Sequence, residues 1–391
     1  MISVSQALDH LFELAQPLAT ETVPLAKANG RVLAGDVFSR RDQPPFSGSA
    51  MDGYAVQNAD VQPGETLTVI GESAAGHRFD GQLMAGQAVR IFTGAPVPLG
   101  ADRVVIQEDV TRDGDTILLG DTIDAGMHIR PRGVDFKDGQ TVAAPKLLRP
   151  SDIALLAAMN VAEVPVRCRP KVAIISTGDE LVMPGESPGP DQIIVSNSFG
   201  LQAMLQDLGA EARLLPIAAD RRQSLETVFG LAEDADLVIT IGGASVGDHD
   251  LVGQVAQDLG LQRSFYKIAM RPGKPLMAGR LKSGAMMIGL PGNPVSAMVC
   301  GHIFVTPVIR AMLGLPQSAR AEFVVPLAAD IGKNGPREHY MRGEMAGGKV
   351  RIFAQQDSSL LSVLAASNVL VKRPPNDPAR VAGDLVRCIS I

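Results

Sequence analysis

Between Lys171 and Leu313 the chain alternates short β-branched apolar runs with longer stretches of helical composition. This alternation constrains the fold more than any other feature, because strands joined through helices build a parallel sheet covered on both faces. Strands are expected at 172–176, 193–195, 212–216, 237–241, 264–270 and 286–289, and helices at 198–208, 225–233, 251–259 and 295–313. Asn293 and Pro294 are a natural N-cap and first residue for the last helix. In such a sheet, ligands bind at the carboxyl ends of the strands. The residues expected there are polar or glycine-rich: Thr177-Gly178-Asp179-Glu180, Ser196-Asn197, Asp220, the run GGASVGDHD, then Arg271-Pro272-Gly273-Lys274 and Pro291-Gly292-Asn293. Within GGASVGDHD the candidates are Gly242, Gly243, Ser245, Gly247, Asp248 and Asp250.

Taken alone, GGASVGDHD reads equally as a phosphate site or a plain strand-to-helix turn. Six such elements converging by topology point to an anionic, nucleotide-like ligand. Glycine N–H groups and helix N-termini favour an anion. Arg271 and Lys274 supply countercharge. Glu180, Asp220, Asp248 and Asp250 are carboxylates of the kind that hold Mg²⁺ together with water and phosphate oxygens.

The flanking regions differ. Residues 3–19 carry apolar side chains at helical spacing, with Pro17 near the end. Residues 20–41 read as extended. Between 57 and 140, short β-runs separated by Gly and Asp turns predict a small all-β unit. Asp52 precedes Gly53 at a tight turn and Thr93-Gly94 ends a strand. Glu108 and Asp109 end another strand, and Asp135 follows HIRPRGV. Each has a bland reading as a turn former or a strand-end polar residue facing water. Ser151 is expected to cap a helix over 150–160. Residues 318–391 contain four strand-like runs and predict a short β-domain. Its Arg337, Arg342 and Arg373 read as a solvated face, with Arg342 able to reach an anion. The fold class is therefore α/β plus all-β and multidomain. The linking domain is expected at 1–41 and 141–169 and the inserted β-domain at 42–140. A doubly wound α/β domain is expected at 170–317, and a C-terminal β-domain at 318–391.

Composition narrows the function. Aromatic residues make up 4% of the 391, with no Trp, and the net charge is −6. That argues against stacking platforms for nucleic acid and against a general nucleic-acid partner. Three scattered cysteines, Cys168, Cys300 and Cys388, give neither a disulfide framework nor a CxxC metal site. The N-terminal stretch contains Asp9 and Glu13 and lacks the apolar core of a signal peptide. No stretch reaches about 18 apolar residues, so no membrane span is expected. A cytoplasmic location is the default expectation.

PPFSGSAMDGYA, RIFTGAPVP, VVIQED, STGDELV, SNS, ITIGGASVGDHD, RPGKP and LPGNPVSA occur in this order. Over essentially its whole length the chain resembles the molybdopterin molybdenumtransferases, the family that includes the E domain of gephyrin. The resemblance implies insertion of molybdate into adenylylated molybdopterin, with Mg²⁺-dependent release of AMP. It implies an elongated homodimer whose active sites are shared between subunits. It marks Asp52, Thr93, Asp135, Glu180, Asp220 and Asp250 as the residues tied to activity. Glu180 and Asp250 are the expected metal ligands, and Asp52 and Asp135 are expected from the partner subunit. A molybdopterin adenylyltransferase and molybdoenzyme maturation proteins are the partners implied. Two alternatives share parts of this pattern, a molybdopterin adenylyltransferase and a gephyrin-like scaffold that binds a peptide. Arg271 departs from the lysine common at that position of KPGKP. It keeps the charge but offers a planar fork.

Overall fold

In a computed structural model, residues 1–243 and 251–391 are described. They form two units. One comprises Met1–Glu21, Gly30–Ala34 and Val166–Ile391, and the other Thr22–Asn29 and Gly35–Pro165.

The first unit is built on a six-stranded sheet. Its spatial order is Glu211–Leu214, Lys171–Ser176, Leu237–Ile241, Met286–Leu290, Pro275–Arg280 and Gln262–Lys267. The first four strands pair in parallel, as the alternation predicts. Pro275–Arg280, a strand the sequence reading did not expect, is antiparallel to both its neighbours, so Gln262–Lys267 keeps the direction of the first four but joins the sheet by antiparallel pairing. A parallel pairing needs a crossover of about a dozen residues, and the 268–274 connection is too short for one. The expected 193–195 strand also lies outside this sheet. Ile193–Ile194 pairs with Leu181–Val182 in a separate ribbon.

The central strands are buried on both faces. Val172, Ile174, Leu237, Ile239 and Ile241 belong to one apolar cluster, and Ala173, Ile175 and Val238 to another. This is the two-residue period of a strand divided between two helical layers. Helix Val4–Leu14 adds Val4, Ala7, Leu8 and Leu11 to the first cluster. Ser3 and Gln6 form a capping box at its start, with reciprocal bonds of 3.1 and 2.9 Å. The helix stops at Leu14, short of the expected end at 19, and Ala15 is already extended. Pro17 disfavours helical backbone at the residue before it.

The last helical run starts as expected, with Asn293 as N-cap and Pro294 first. It continues through a π-turn at Gly301–Val305 into Thr306–Met312. Pro307 removes one backbone donor there, which requires the ladder to rearrange. Pro294–Met312 is long and apolar enough to cross a membrane, but 83% of it is buried within the protein.

A second sheet carries the C-terminal region, in the order Met270–Arg271, Glu338–Ala346, Val369–Arg373, Leu385–Ser390 and Phe323–Pro326. Met270–Arg271 pairs in parallel with Glu338–His339, so the RPGKP segment is held by this sheet. The expectation of a solvated arginine face fails here. Arg342 and Arg373 are 0% and 2% exposed, and Arg337 is half-buried. Arg373 sits on an inward-facing strand position and is neutralised by Asp377. Asp377 also accepts a 2.7 Å bond from Arg380. Burial opposes ionisation of Asp377, but its bonds to Arg380 and Arg373 win and hold the carboxyl below its usual value.

The second unit has a six-stranded sheet ordered Arg103–Ile106, Gly53–Val56, Gln87–Ile91, Thr66–Ser73, Thr116–Leu119 and Val110–Asp113. Tyr54 and Val56 pack on one face and Ala55 on the other. This unit also contains helix Pro150–Ala158. Arg149, not Ser151, occupies its N-cap, because Pro150 takes the first helical position. Asp152 accepts bonds from Arg149 N at 2.9 Å and Lys146 Nζ at 2.6 Å.

Replacing Asp377 by Asn is expected to cost about 3–5 kcal/mol at neutral pH, because Arg373 is left buried without a countercharge. Equilibrium denaturation of the full chain checks this. A depressed folded pKa gives stability that is present above the unfolded value and lost as pH falls through the folded one. The gap between wild type and variant is therefore expected to narrow below about pH 4.

Candidate active site

The strand ends of the first unit open into one pocket of about 710 Å³. Among the described residues, fifteen of those expected at the strand ends line it. They are Thr177, Gly178, Glu180, Ser196, Asn197, Asp220, Gly242, Gly243, Arg271, Pro272, Gly273, Lys274, Pro291, Gly292 and Asn293. The parallel pairing explains the convergence. Thr177 follows Ser176, Gly242 follows Ile241 and Pro291 follows Leu290, and these three strands are neighbours in register. Bonds across the strand ends fix the rim. Thr177 N donates to Ile241 O at 3.0 Å and Gly242 N to Leu290 O at 3.2 Å. Asn197 does not cap its own helix. Its Nδ2 donates to Gly292 O at 2.7 Å and ties two strand ends together.

One part of the wall is acidic. Asp220 N donates to Asp179 Oδ1 at 3.1 Å, which places Asp179 behind the lining residues Asp220 and Glu180. Asp220 is exposed, yet the wall removes enough water to raise its pKa, and the charges of Asp179 and Glu180 raise it further. Like charges held this close lower their repulsion by taking up a proton or a cation.

Another part is basic. Arg271 and Lys274 line the pocket as expected, and Arg337 joins them. Gly273 lies between them at φ +105°, and a Cβ there would stand 2.4 Å from the buried Cys300 Sγ. Only glycine lets this loop lie so close to the core. Behind the loop, His339 is buried and pairs in register with Arg271. Burial, then Arg271, Arg342, Arg373 and Arg337, push its pKa down to about 4, so it is neutral at pH 7. Arg342 is fully buried, and none of its three guanidinium nitrogens has a hydrogen-bond partner among the described residues. The charge of Asp357 offsets it in part, but a buried cation without hydrogen bonds is costly. It leaves a positive field that an anion would relieve.

The C-terminal region supplies lining residues that the sequence reading missed, Gln356, Asp357 and Ser358, together with Arg337, which that reading placed on a solvated face. Asn293 Nδ2 donates to Ser358 Oγ at 3.2 Å, and Val295 N to Ser358 O at 3.0 Å. The turn signal Asp357-Ser358-Ser359 was visible in the sequence. Nothing local in it indicates which strand end it packs against.

Asp52, Thr93 and Asp135 belong to the second unit. There Asp52 Oδ1 accepts bonds from both Thr93 N and Thr93 Oγ1, each at 2.7 Å. These bonds, backbone first, and the nearby Arg90 charge hold the Asp52 carboxyl below its usual value. The structure thus joins two residues that the sequence placed 41 positions apart. Asp135 is exposed, and its N–H donates to Gln43 O at 3.0 Å. Ser245, Gly247, Asp248 and Asp250 lie outside the described residues. Among the described residues, no group of three His, Cys, Asp or Glu side chains is arranged to hold a metal ion.

Asp220→Asn is expected to raise the melting temperature at pH 7 by up to about 2 °C, since it removes a like charge from an exposed cluster. A raised folded pKa means that the cost exists only where Asp220 is ionised. The difference between the two melting temperatures should vanish below about pH 4.

Comparison with known proteins covers the same ground. Residues 2–160 match the MoeA N-terminal region (domain I and II), 173–311 a probable molybdopterin binding domain, and 324–391 the MoeA C-terminal region (domain IV). The molybdopterin molybdenumtransferase of Nostoc sp. is 39% identical over 88% of this chain and 82% of its own length. The enzyme of that name from Haemophilus influenzae is 38% identical over 95% of this chain and 94% of its own. The crystal structure of the molybdopterin biosynthesis moeA protein from Pyrococcus horikoshii OT3 superposes with a TM-score of 0.86 at 29% identity, covering 100% of both chains. Full-length similarity at this level, added to a pocket assembled from the same motifs, places the chain in the molybdopterin molybdenumtransferase family.

Proposed function

We propose that this protein transfers molybdenum from molybdate to adenylylated molybdopterin, releasing AMP and giving molybdenum cofactor. One observation carries the reading. A single pocket holds adjacent exposed carboxylates together with Arg271, Lys274 and Arg337, backed by the buried Arg342, whose guanidinium has no hydrogen bond among the described residues. A substrate with a pyrophosphate linkage and an oxyanion co-substrate needs both kinds of wall.

The roles follow from charge. Arg271 and Lys274 bind oxygens of phosphate or molybdate, with Arg337 beside them. Arg342 adds positive potential from behind. Neutral His339 adds no further charge to an already crowded cationic cluster. Gly178, Gly242 and Gly243 let phosphate approach the backbone. The bond broken joins two negatively charged phosphates, so fixed cations aimed at the developing charge lower the barrier.

The carboxylates fit a hard cation. Asp220 sits in a field of like charge, which such an ion would offset, and Mg²⁺ needs only one or two carboxylates beside water and phosphate. Glu180 and Asp250 are proposed as its ligands. When bound, Mg²⁺ would neutralise phosphate charge and acidify a coordinated water. The backbone N–H of Asp220 holds Asp179, and the Asp220 carboxylate adds to the negative charge that receives the cation. The thiols take no part. Cys300 and Cys388 are buried, and burial raises the pKa of both.

We further propose a homodimer in which Asp52, Thr93 and Asp135 of one copy complete the site of the other, as the family resemblance implies. The domains would divide near residues 42, 141, 170 and 318. The buried setting of Pro294–Met312 supports action away from the membrane, and a cytoplasmic location is proposed with it. A molybdopterin adenylyltransferase is the proposed supplier of the substrate, and molybdoenzyme maturation proteins its recipients.

The test is molybdate-dependent AMP release from adenylylated molybdopterin by the purified full-length protein. Release on adding molybdate is expected, and adenylylation of molybdopterin with ATP instead would overturn the reading. Arg271→Ala with Lys274→Ala is expected to raise the KM for molybdate at least about tenfold, the loss of two charge-assisted contacts. Asp250→Asn should reduce AMP release at least about a hundredfold, and near-normal release would remove Asp250 from its assigned role.

A further inference from the structure

Arg90 lies on the central Gln87–Ile91 strand of the second unit and was not singled out in the sequence. Its guanidinium makes two hydrogen bonds. Nη1 donates to Gly53 O at 3.2 Å, and Nη2 donates to Gln107 Oε1 at 2.7 Å. The same group lies 5.1 Å from the Tyr54 ring centroid and 4.8 Å from that of Phe92. Each contact belongs to a segment that holds Asp52. Gly53 follows Asp52 directly. Gln107 N donates to Asp52 O at 3.0 Å. Phe92 precedes Thr93, which donates twice to Asp52 Oδ1. Strand geometry adds to the restraint, because a Cβ on Gly53 would stand 2.0 Å from Val105 O.

We propose that Arg90 is a positioning residue that fixes the Asp52 carboxylate, acting through the Gly53, Phe92 and Gln107 segments. Asp52 has both Thr93 bonds on Oδ1, which leaves Oδ2 as the oxygen for a ligand. A planar fork stacked on aromatic rings restrains three segments at once, and a flexible ammonium cannot. The proposal rests on the reading that Asp52 takes part in the reaction, and it adds how the carboxylate is held.

The experiment is a double-mutant cycle in the full-length protein, with kcat and KM measured for molybdate-dependent AMP release. The variants are Asp52→Asn, Arg90→Met, Arg90→Lys and the Arg90→Met/Asp52→Asn pair. Arg90→Met is expected to lower kcat about 10–100-fold with less than about a threefold change in KM, the signature of a misplaced group. Arg90→Lys should recover only a minor part of that loss. In the Asp52→Asn background, Arg90→Met should cost almost nothing more. Losses that multiply, or a wild-type kcat in Arg90→Met beside an impaired Asp52→Asn, would overturn the positioning role alone. A near-normal Asp52→Asn would instead overturn the place of Asp52 in the reaction, and the proposal with it. If Arg90→Met does not fold, Gln107→Ala removes one acceptor of the fork and decides the matter. A kcat loss that disappears in the Asp52→Asn background supports the proposal, and an unchanged kcat or a multiplying loss overturns it.

Discussion

The parallel pairing of Met270–Arg271 with Glu338–His339 is the contact on which the pocket depends. It fastens the loop carrying Arg271 and Lys274 to a sheet drawn from the C-terminal region. Without it, the antiparallel hairpin of Gln262–Lys267 and Pro275–Arg280 would leave its connection at the edge of the sheet. The pairing also brings Arg337 to the pocket wall and sets His339 among four arginines. Cys300 supports the loop from below, with no room for a side chain at Gly273.

Charge in this unit is separated by burial. The carboxylates at the strand ends are exposed, so their repulsion is moderated by water. The arginines beneath the RPGKP loop are buried, so their field is screened far less. Arg373 is neutralised by Asp377, whereas the Arg342 guanidinium has no hydrogen-bond partner among the described residues. One buried arginine is therefore held by a paired carboxylate, and the other is offset only at a distance by the charge of Asp357.

The second unit solves a simpler problem. Asp52 is a half-buried carboxylate held below its usual pKa and in one orientation. Two bonds from Thr93 achieve this. The Arg90 fork holds the segments that carry both residues. The value of these contacts lies in restraining one oxygen while leaving the other open.

Much of the site was legible in the sequence, because strand-end motifs announce themselves by local rules. Glycines mark close approach, Asn293-Pro294 marks a helix start, and apolar runs mark strands buried on both faces. A parallel sheet then forces those ends to one side, so TGDE, LPGNP and RPGKP could be placed together before any coordinates. Distance along the chain hid the rest. Gln356, Asp357 and Ser358 look like an ordinary turn, and only packing against Asn293 makes them part of the wall. Arg342 and Arg373 look solvated, because local pattern does not report which face of a late strand is covered. Arg90 looks like any strand residue until Tyr54, Phe92 and Gln107 close around it. The sequence by itself determined which segments turn, cap and carry charge, since those follow from neighbouring residues. Only the tertiary structure decided which charges lose their water and which side chains meet, because burial depends on chain segments far apart in the sequence.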